Sequence, residues 1–139
     1  MPPQAPSHPS PVRSSNDAVR LLQLAVSLPL EHETHTFLLD DGGIGGLIVR
    51  IDGTEPPDSV LDITSVMSHV GAGVPGMSSL VVATVRPGGG LAPGDIDRWL
   101  EASDIALAHD ITLLEWYVVN RQGFHCPREL IGEPPRWRL

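Results

Sequence analysis

The chain has 139 residues, 41% of them hydrophobic, and a formal net charge of −8. That is enough to close one core, too apolar for a disordered chain and too acidic for a nucleic-acid binder, whose phosphate contacts demand a basic face. All nine cations are Arg, so Lys nucleophiles and Schiff bases are excluded, and the single Cys126 excludes an intrachain disulfide. A reducing, cytoplasmic setting is the expectation. No apolar run approaches the roughly 20 residues that span a bilayer, and the N-terminus lacks the pattern of a secretory signal.

Residues 1–16 contain five Pro and little to bury, which reads as a solvated, polyproline-like tail. A domain at 17–132 follows, then a C-terminal extension at 133–139. Asp17 to Ser27 has the apolar stripe of a helix, with Ser14, Ser15, Asn16 and Asp17 as candidate caps and Pro29 beyond its end. Thr34–Leu39 and Gly45–Ile51 alternate as strands around the turn Asp40-Asp41-Gly42-Gly43. Asp58 to Val70 reads as a second helix capped by Asp58. Leu80–Val85 is unbroken in its apolar character, as suits a central strand covered on both faces.

Pro93–His109 is a third helix. Its expected buried side is Ile96, Trp99, Leu100, Ser103, Ile105, Ala106 and Leu107, with Asp97, Arg98, Glu101 and Asp104 in water. Ile111–Val119 and Phe124–Cys126 complete the strands. The order α-β-β-α-β-α-β-(β) predicts a single-domain α/β fold, a mixed sheet flanked by helices.

Three groupings invite chemistry. Glu31-His32-Glu33-Thr34-His35 is dense in metal-capable groups, but an offset of three on a strand sends His32 and His35 to opposite faces, so a solvated acidic loop is expected. Gly42–Gly46 lies inside a hairpin and precedes no helix, which a phosphate cradle needs. Gly88-Gly89-Gly90 does precede a helix, but without the Lys of a nucleotide loop. Cys126 beside His125 and the isolated Ser79 and Ser103 form no nucleophile–base pair.

The stretch from Leu80 to Leu100 carries a more specific likeness. Strand Leu80–Ala83 runs into Thr84-Val85-Arg86-Pro87-Gly88-Gly89 and then Pro93-Gly94-Asp95-Ile96-Asp97. Around it lie Thr36–Asp40, Gly53-Thr54, Leu113-Leu114-Glu115-Trp116 and Phe124–Glu129. In order and spacing these resemble the RadC-type branch of the JAB/MPN (JAMM) domains, with a cytidine-deaminase-like fold. The resemblance implies zinc held by two His and an Asp, a Ser that steadies the oxyanion, a Glu base on an early strand, and a final strand over Phe124–Glu129. Here Thr84 and Arg86 stand for the two His, Gly94 for the Ser, and only Asp97 keeps its residue type. The second strand holds no Glu; Asp52 is the first acid after it.

One carboxylate cannot hold a catalytic zinc, and Arg86 is expected to fill the vacated pocket as an ion pair with Asp97. The resemblance therefore implies a catalytically inactive domain without zinc, acting as a scaffold or protein-interaction module, with a homodimer among its assemblies; the acidic charge and the lack of a spanning run argue against nucleic acid and membrane as partners. The alternative is a metallohydrolase or other hydrolase with a rebuilt site, for which Glu115 is the acid–base candidate beside Asp97, His109 and His125.

Overall fold

A computed structural model describes residues 11–137. The elements run α1 (Ser15–Ala25), β1 (Glu33–Asp40), β2 (Gly45–Asp52), α2 (Ser59–Ala72), β3 (Met77–Val85), α3 (Asp95–Leu107), β4 (Thr112–Asn120), β5 (Gly123–His125) and α4 (Pro127–Leu130). The strands form one mixed sheet in the order β2-β1-β3-β4-β5, in which β3 and β4 are parallel and every other pair is antiparallel. The expected α/β architecture and element order are therefore observed, with α4 as an addition.

Strand periodicity divides the core in two. Leu38, Leu80, Val82, Leu113, Trp116 and Val118 face α2 and α3, and pack with Val60, Met67, Trp99, Ala102 and Ala106. Phe37, Leu39, Val81, Ala83, Val85 and Tyr117 face the other way, toward Ala18 and Leu22 of α1. Leu80 to Val85 is buried throughout, as the central strand of such a sheet must be.

Local chemistry sets several boundaries differently from expectation. Residues 1–10 of the expected tail lie outside the described residues. Val12, inside that expected tail, is buried, and its N–H donates to the Gly43 carbonyl at 2.8 Å. Ser14 is the α1 cap, accepting from the Asp17 N–H at 3.2 Å. Asp58 precedes α2 but makes no capping bond, because its carboxylate takes Arg98 Nε at 2.9 Å. The turn Asp40–Gly43 forms as expected, with Asp40 Oδ1 accepting from the Gly42 and Ile44 amides and Gly43 at φ +79°.

On α3 the buried stripe is Asp95, Trp99, Ala102 and Ala106, a 4-3-4 spacing, while Leu100 is 44% and Leu107 66% exposed. The expected stripe was anchored on the larger apolar residues. The helix instead turns small alanines and one carboxylate inward.

The strand expected to close at Arg128-Glu129 stops at His125, and Pro127–Leu130 coils into α4 against α3 and β4. Pro127 sits at the start of that turn, where its missing N–H costs nothing. Residues 133–137 then return to the core. Trp99 Nε1 donates to Glu133 Oε2 at 2.9 Å, and the Arg136 guanidinium lies 4.3 Å from the Trp99 ring centroid. Arg136 also donates to the Leu113 carbonyl at 3.0 Å, on the part of β4 that β5 does not reach. The C-terminal extension thus reaches β4 where β5 does not pair with it.

Trp99 joins the helix layer to the C-terminal segment and is fully buried. Trp99→Ala is expected to destabilise the chain by about 3–5 kcal/mol, read as a lowered urea midpoint with the slope unchanged.

Candidate functional site

In α/β sheets, ligands sit beyond the carboxyl ends of parallel strands. Here that place lies past Val85 and Asn120, between the loop Arg86–Gly94 and the β4–β5 turn. An open cleft of about 490 Å³ occupies it, lined by Pro87, Gly88, Gly89, Gly90, Asn120, Arg121 and Gln122. Asn120 holds the two walls together. Its Nδ2 donates to the Gly89 carbonyl at 2.7 Å, and its Oδ1 accepts from the Gln122 amide and from His125 Nε2. Arg121 is the only charged residue in the lining.

Beneath the loop lies a dense ionic network centred on Asp95. Arg86 grips this carboxylate with both terminal nitrogens, Nη1 to Oδ2 at 2.7 Å and Nη2 to Oδ1 at 3.0 Å. The Ala92 amide donates to Oδ2 at 2.6 Å, and Arg98 Nη1 donates to Oδ1 at 3.0 Å. Arg86 Nη1 also reaches the Gly90 carbonyl. Asp95 is 1% exposed and accepts four hydrogen bonds, so its acceptor capacity is filled. Burial alone would raise its pKa, but the bonds from Arg86, Ala92 and Arg98 outweigh burial and hold the carboxyl below its usual range.

The expected Arg86–Asp97 pair is therefore corrected: the partner of Arg86 is Asp95, and Asp97 is exposed. At 3.6 residues per turn, two positions differ by about 200° around the axis, so the helix turns one carboxylate inward and the other out.

The other resemblance positions have structural employment. Thr84 Oγ1 accepts the Trp116 indole N–H at 2.9 Å, satisfying a fully buried donor. Arg86 lies 5.7 Å from the centroid of the same Trp116 ring. Gly94 sits at φ +88° just before α3, a backbone conformation that side chains strain. A Cβ there would also come within 3.3 Å of the Arg98 guanidinium. The turn itself thus disfavours Ser at this position.

The two secondary candidates lie elsewhere. Asp52 is an exposed residue at the end of the edge strand β2, paired with Arg50 at 3.2 Å. Glu115 is fully buried and accepts from Arg128 Nε at 2.9 Å, with Cys126 and Tyr117 nearby. Burial pushes the Glu115 carboxyl up, against the pull of Arg128. Burial likewise pushes the Cys126 thiol far above its usual range, an inert state for a nucleophile. His109 follows the end of α3, with its ring edge-to-face to His69 at 6.1 Å.

One titratable pair escaped sequence reasoning. Glu33 and His35 are not in a solvated loop; they lie on β1, 0% and 3% exposed, with His35 Nε2 against Glu33 Oε2. The Ser27 amide donates to the same oxygen at 3.4 Å. These bonds outweigh burial and hold the Glu33 carboxyl below its usual range. Their signal was the offset of two, which shares a strand face, rather than the offset of three between His32 and His35. The pair is sealed from solvent and ties the loop after α1 to the sheet. Among the described residues, no three His, Cys, Asp or Glu side chains gather as a metal-ligating group.

No protein-family model matches this chain, and no curated protein matches it.

The two carboxylates of α3 separate by stability. Asp95→Ala strands the Arg86 charge in a buried site and is expected to cost about 3–5 kcal/mol. Asp97→Ala is expected to cost under about 1 kcal/mol, the scale of a first-turn carboxylate on the helix dipole. Because the folded pKa of Asp95 is depressed, its contribution is complete above the unfolded value of about 4 and is lost as pH falls further. Urea titrations from pH 7 downward should therefore show wild-type stability declining below about pH 4, with a shallower decline in Asp95→Asn.

Proposed function

We propose that the chain is a catalytically silent α/β module, a degenerate relative of the JAB/MPN domains that acts by binding other protein. One observation carries the reading: of the two acids in the first turn of α3, Asp97, the one residue of the zinc pattern that is kept, faces solvent, and the buried Asp95 has every acceptor site taken by the chain itself. Asp95 spends its oxygens on Arg86, Ala92 and Arg98. Arg86 spends its terminal nitrogens on Asp95 and Gly90. A group committed to four internal donors has nothing left to activate water or ligate a metal.

The cleft above supports the same reading. Its lining offers backbone, amides and Arg121, and contains no carboxylate, imidazole or thiol. Acid–base catalysis needs a titrating group within hydrogen-bond reach of the substrate. Glu115, the candidate of the rebuilt-hydrolase alternative, is committed to Arg128. No helix among the described residues is long and apolar enough to cross a membrane.

The test is direct. The full chain, purified after growth in zinc-supplemented medium and dialysed, is expected to carry substoichiometric zinc by elemental analysis. It is also expected to show no zinc-dependent cleavage of peptide or isopeptide bonds. Stoichiometric zinc that survives dialysis and is lost in Asp97→Ala would overturn the reading in favour of a metallohydrolase.

A further inference from the structure

The two edges of the sheet are finished differently. At one edge β5 pairs with the end of β4, and Arg136 binds the Leu113 carbonyl below it. At the other edge lies β2, with the sequence GGLIVRID. It holds no Pro, its charged residues Arg50 and Asp52 pair with each other, and its ladder with β1 is regular from Asp52 to Leu47, the one irregularity falling beyond Leu47. Leu47 is 39% and Ile48 57% exposed. On α2, which covers the same sheet face as Val49 and Ile51, Val66 and Val70 are exposed as well.

The ladder dictates which groups point outward. The Gly53 amide donates to the His32 carbonyl at 2.9 Å, and the β1–β2 register continues in antiparallel steps of one residue to Leu47. Antiparallel pairs alternate between bonded and non-bonded, so Ile51, Val49 and Leu47 turn their amides and carbonyls toward β1. Ile48, Arg50 and Asp52 turn theirs away from the sheet.

We propose that β2 pairs antiparallel with β2 of a second copy, about a two-fold axis through Val49, to make a continuous ten-stranded sheet. In this register Ile48 and Arg50 of one copy form bonded pairs with Arg50 and Ile48 of the other. Val49 faces Val49, and Leu47 faces Ile51, so the row under α2 is wholly apolar and extends the core across the axis. The strand is also charge-balanced in a chain of net charge −8, because Arg50 and Asp52 pair with each other. The like charges nearest the axis, the two Arg50, each bring their own Asp52.

The chain's own N-terminus is the competing occupant. Residues 1–10 join the described part near Gly43, beside the start of β2. Four of those ten are Pro, and Pro brings no amide to a ladder. A second β2, with a full set of donors and acceptors, is the better complement. This inference is independent of whether the loop at Arg86 retains catalysis.

The full chain is expected to run as a dimer at micromolar concentration in light scattering and sedimentation. Ile48→Lys places a second cation opposite Arg50 of the other copy, twice per dimer, and is expected to weaken association by about tenfold. Ile48 is exposed, so the variant's thermal melt should report an intact fold. Register is read by cross-linking. In a non-bonded antiparallel pair the Cα atoms lie about 4.5 Å apart, within disulfide range. Val49→Cys should therefore form an intermolecular disulfide on mild oxidation, whereas Leu47→Cys, four residues from its own copy, should not. The native Cys126 is buried and does not interfere. A chain that stays monomeric, as it would if residues 1–10 covered β2, overturns the proposal. So does a dimer that Ile48→Lys leaves intact, or one that cross-links through Leu47→Cys and not Val49→Cys.

Discussion

The Asp95 carboxylate is the point on which the arrangement of this molecule turns. It is reached by Arg86 at the end of β3, by Ala92 within the loop, and by Arg98 one turn into α3. Three successive parts of the chain are thereby fixed to one group. Arg98 carries the network on to Asp58 at the start of α2, so both helices on that face are placed by the same charges. A buried ion pair is a weak source of net stability, since desolvation offsets most of the attraction. Its contribution here is directional. A bidentate guanidinium–carboxylate pair admits few geometries, and this one sets the rotation of α3 that puts Trp99, Ala102 and Ala106 against the sheet.

The same network decides what the loop can do chemically. Strand, glycine-rich loop and helix N-terminus form an arrangement that elsewhere presents amides and a free polar group to a ligand. Here the acidic residue at the helix start faces into the protein and is saturated. The left-handed turn at Gly94 and the Trp116–Thr84 bond complete a site whose polar groups serve the fold. Asn120 ties the glycine loop down from the opposite wall. The cleft that remains is a surface feature with one cation, Arg121, on its rim.

The order of elements was legible because each carries its own period. Leu80–Val85 announces a strand buried on both sides, the Asp-Gly-Gly turn announces a hairpin, and the third helix is bounded by Gly94 and the turn at Asp110. What was not legible is which polar residues go inside. Pattern reading counted Leu100 and Leu107 as core and gave Asp95 no place inside. The structure exposes both leucines and buries Asp95, because the partner that makes Asp95 buriable, Arg86, arrives nine residues earlier, just past β3. The same blindness hid Glu33 and His35: each alone reads as solvated, and only their shared strand face makes the pair. Val12 was invisible for another reason, as one apolar residue in a Pro-rich segment gives no period. Its burial is fixed by a hydrogen bond to Gly43, far along the chain.

The edges of the sheet complete the argument. Near one of them, Glu133 and Arg136 reach Trp99, Ser103 and the Leu113 carbonyl of β4, where β5 does not pair. No comparable bond reaches outward from β2 among the described residues; its outer amides belong to Ile48, Arg50 and Asp52. An unpaired edge strand is a liability in a protein meant to stay alone. The outward-facing amides of Ile48, Arg50 and Asp52, beside the exposed Leu47 and Ile48, are the physical argument behind the proposal that β2 pairs with a second strand.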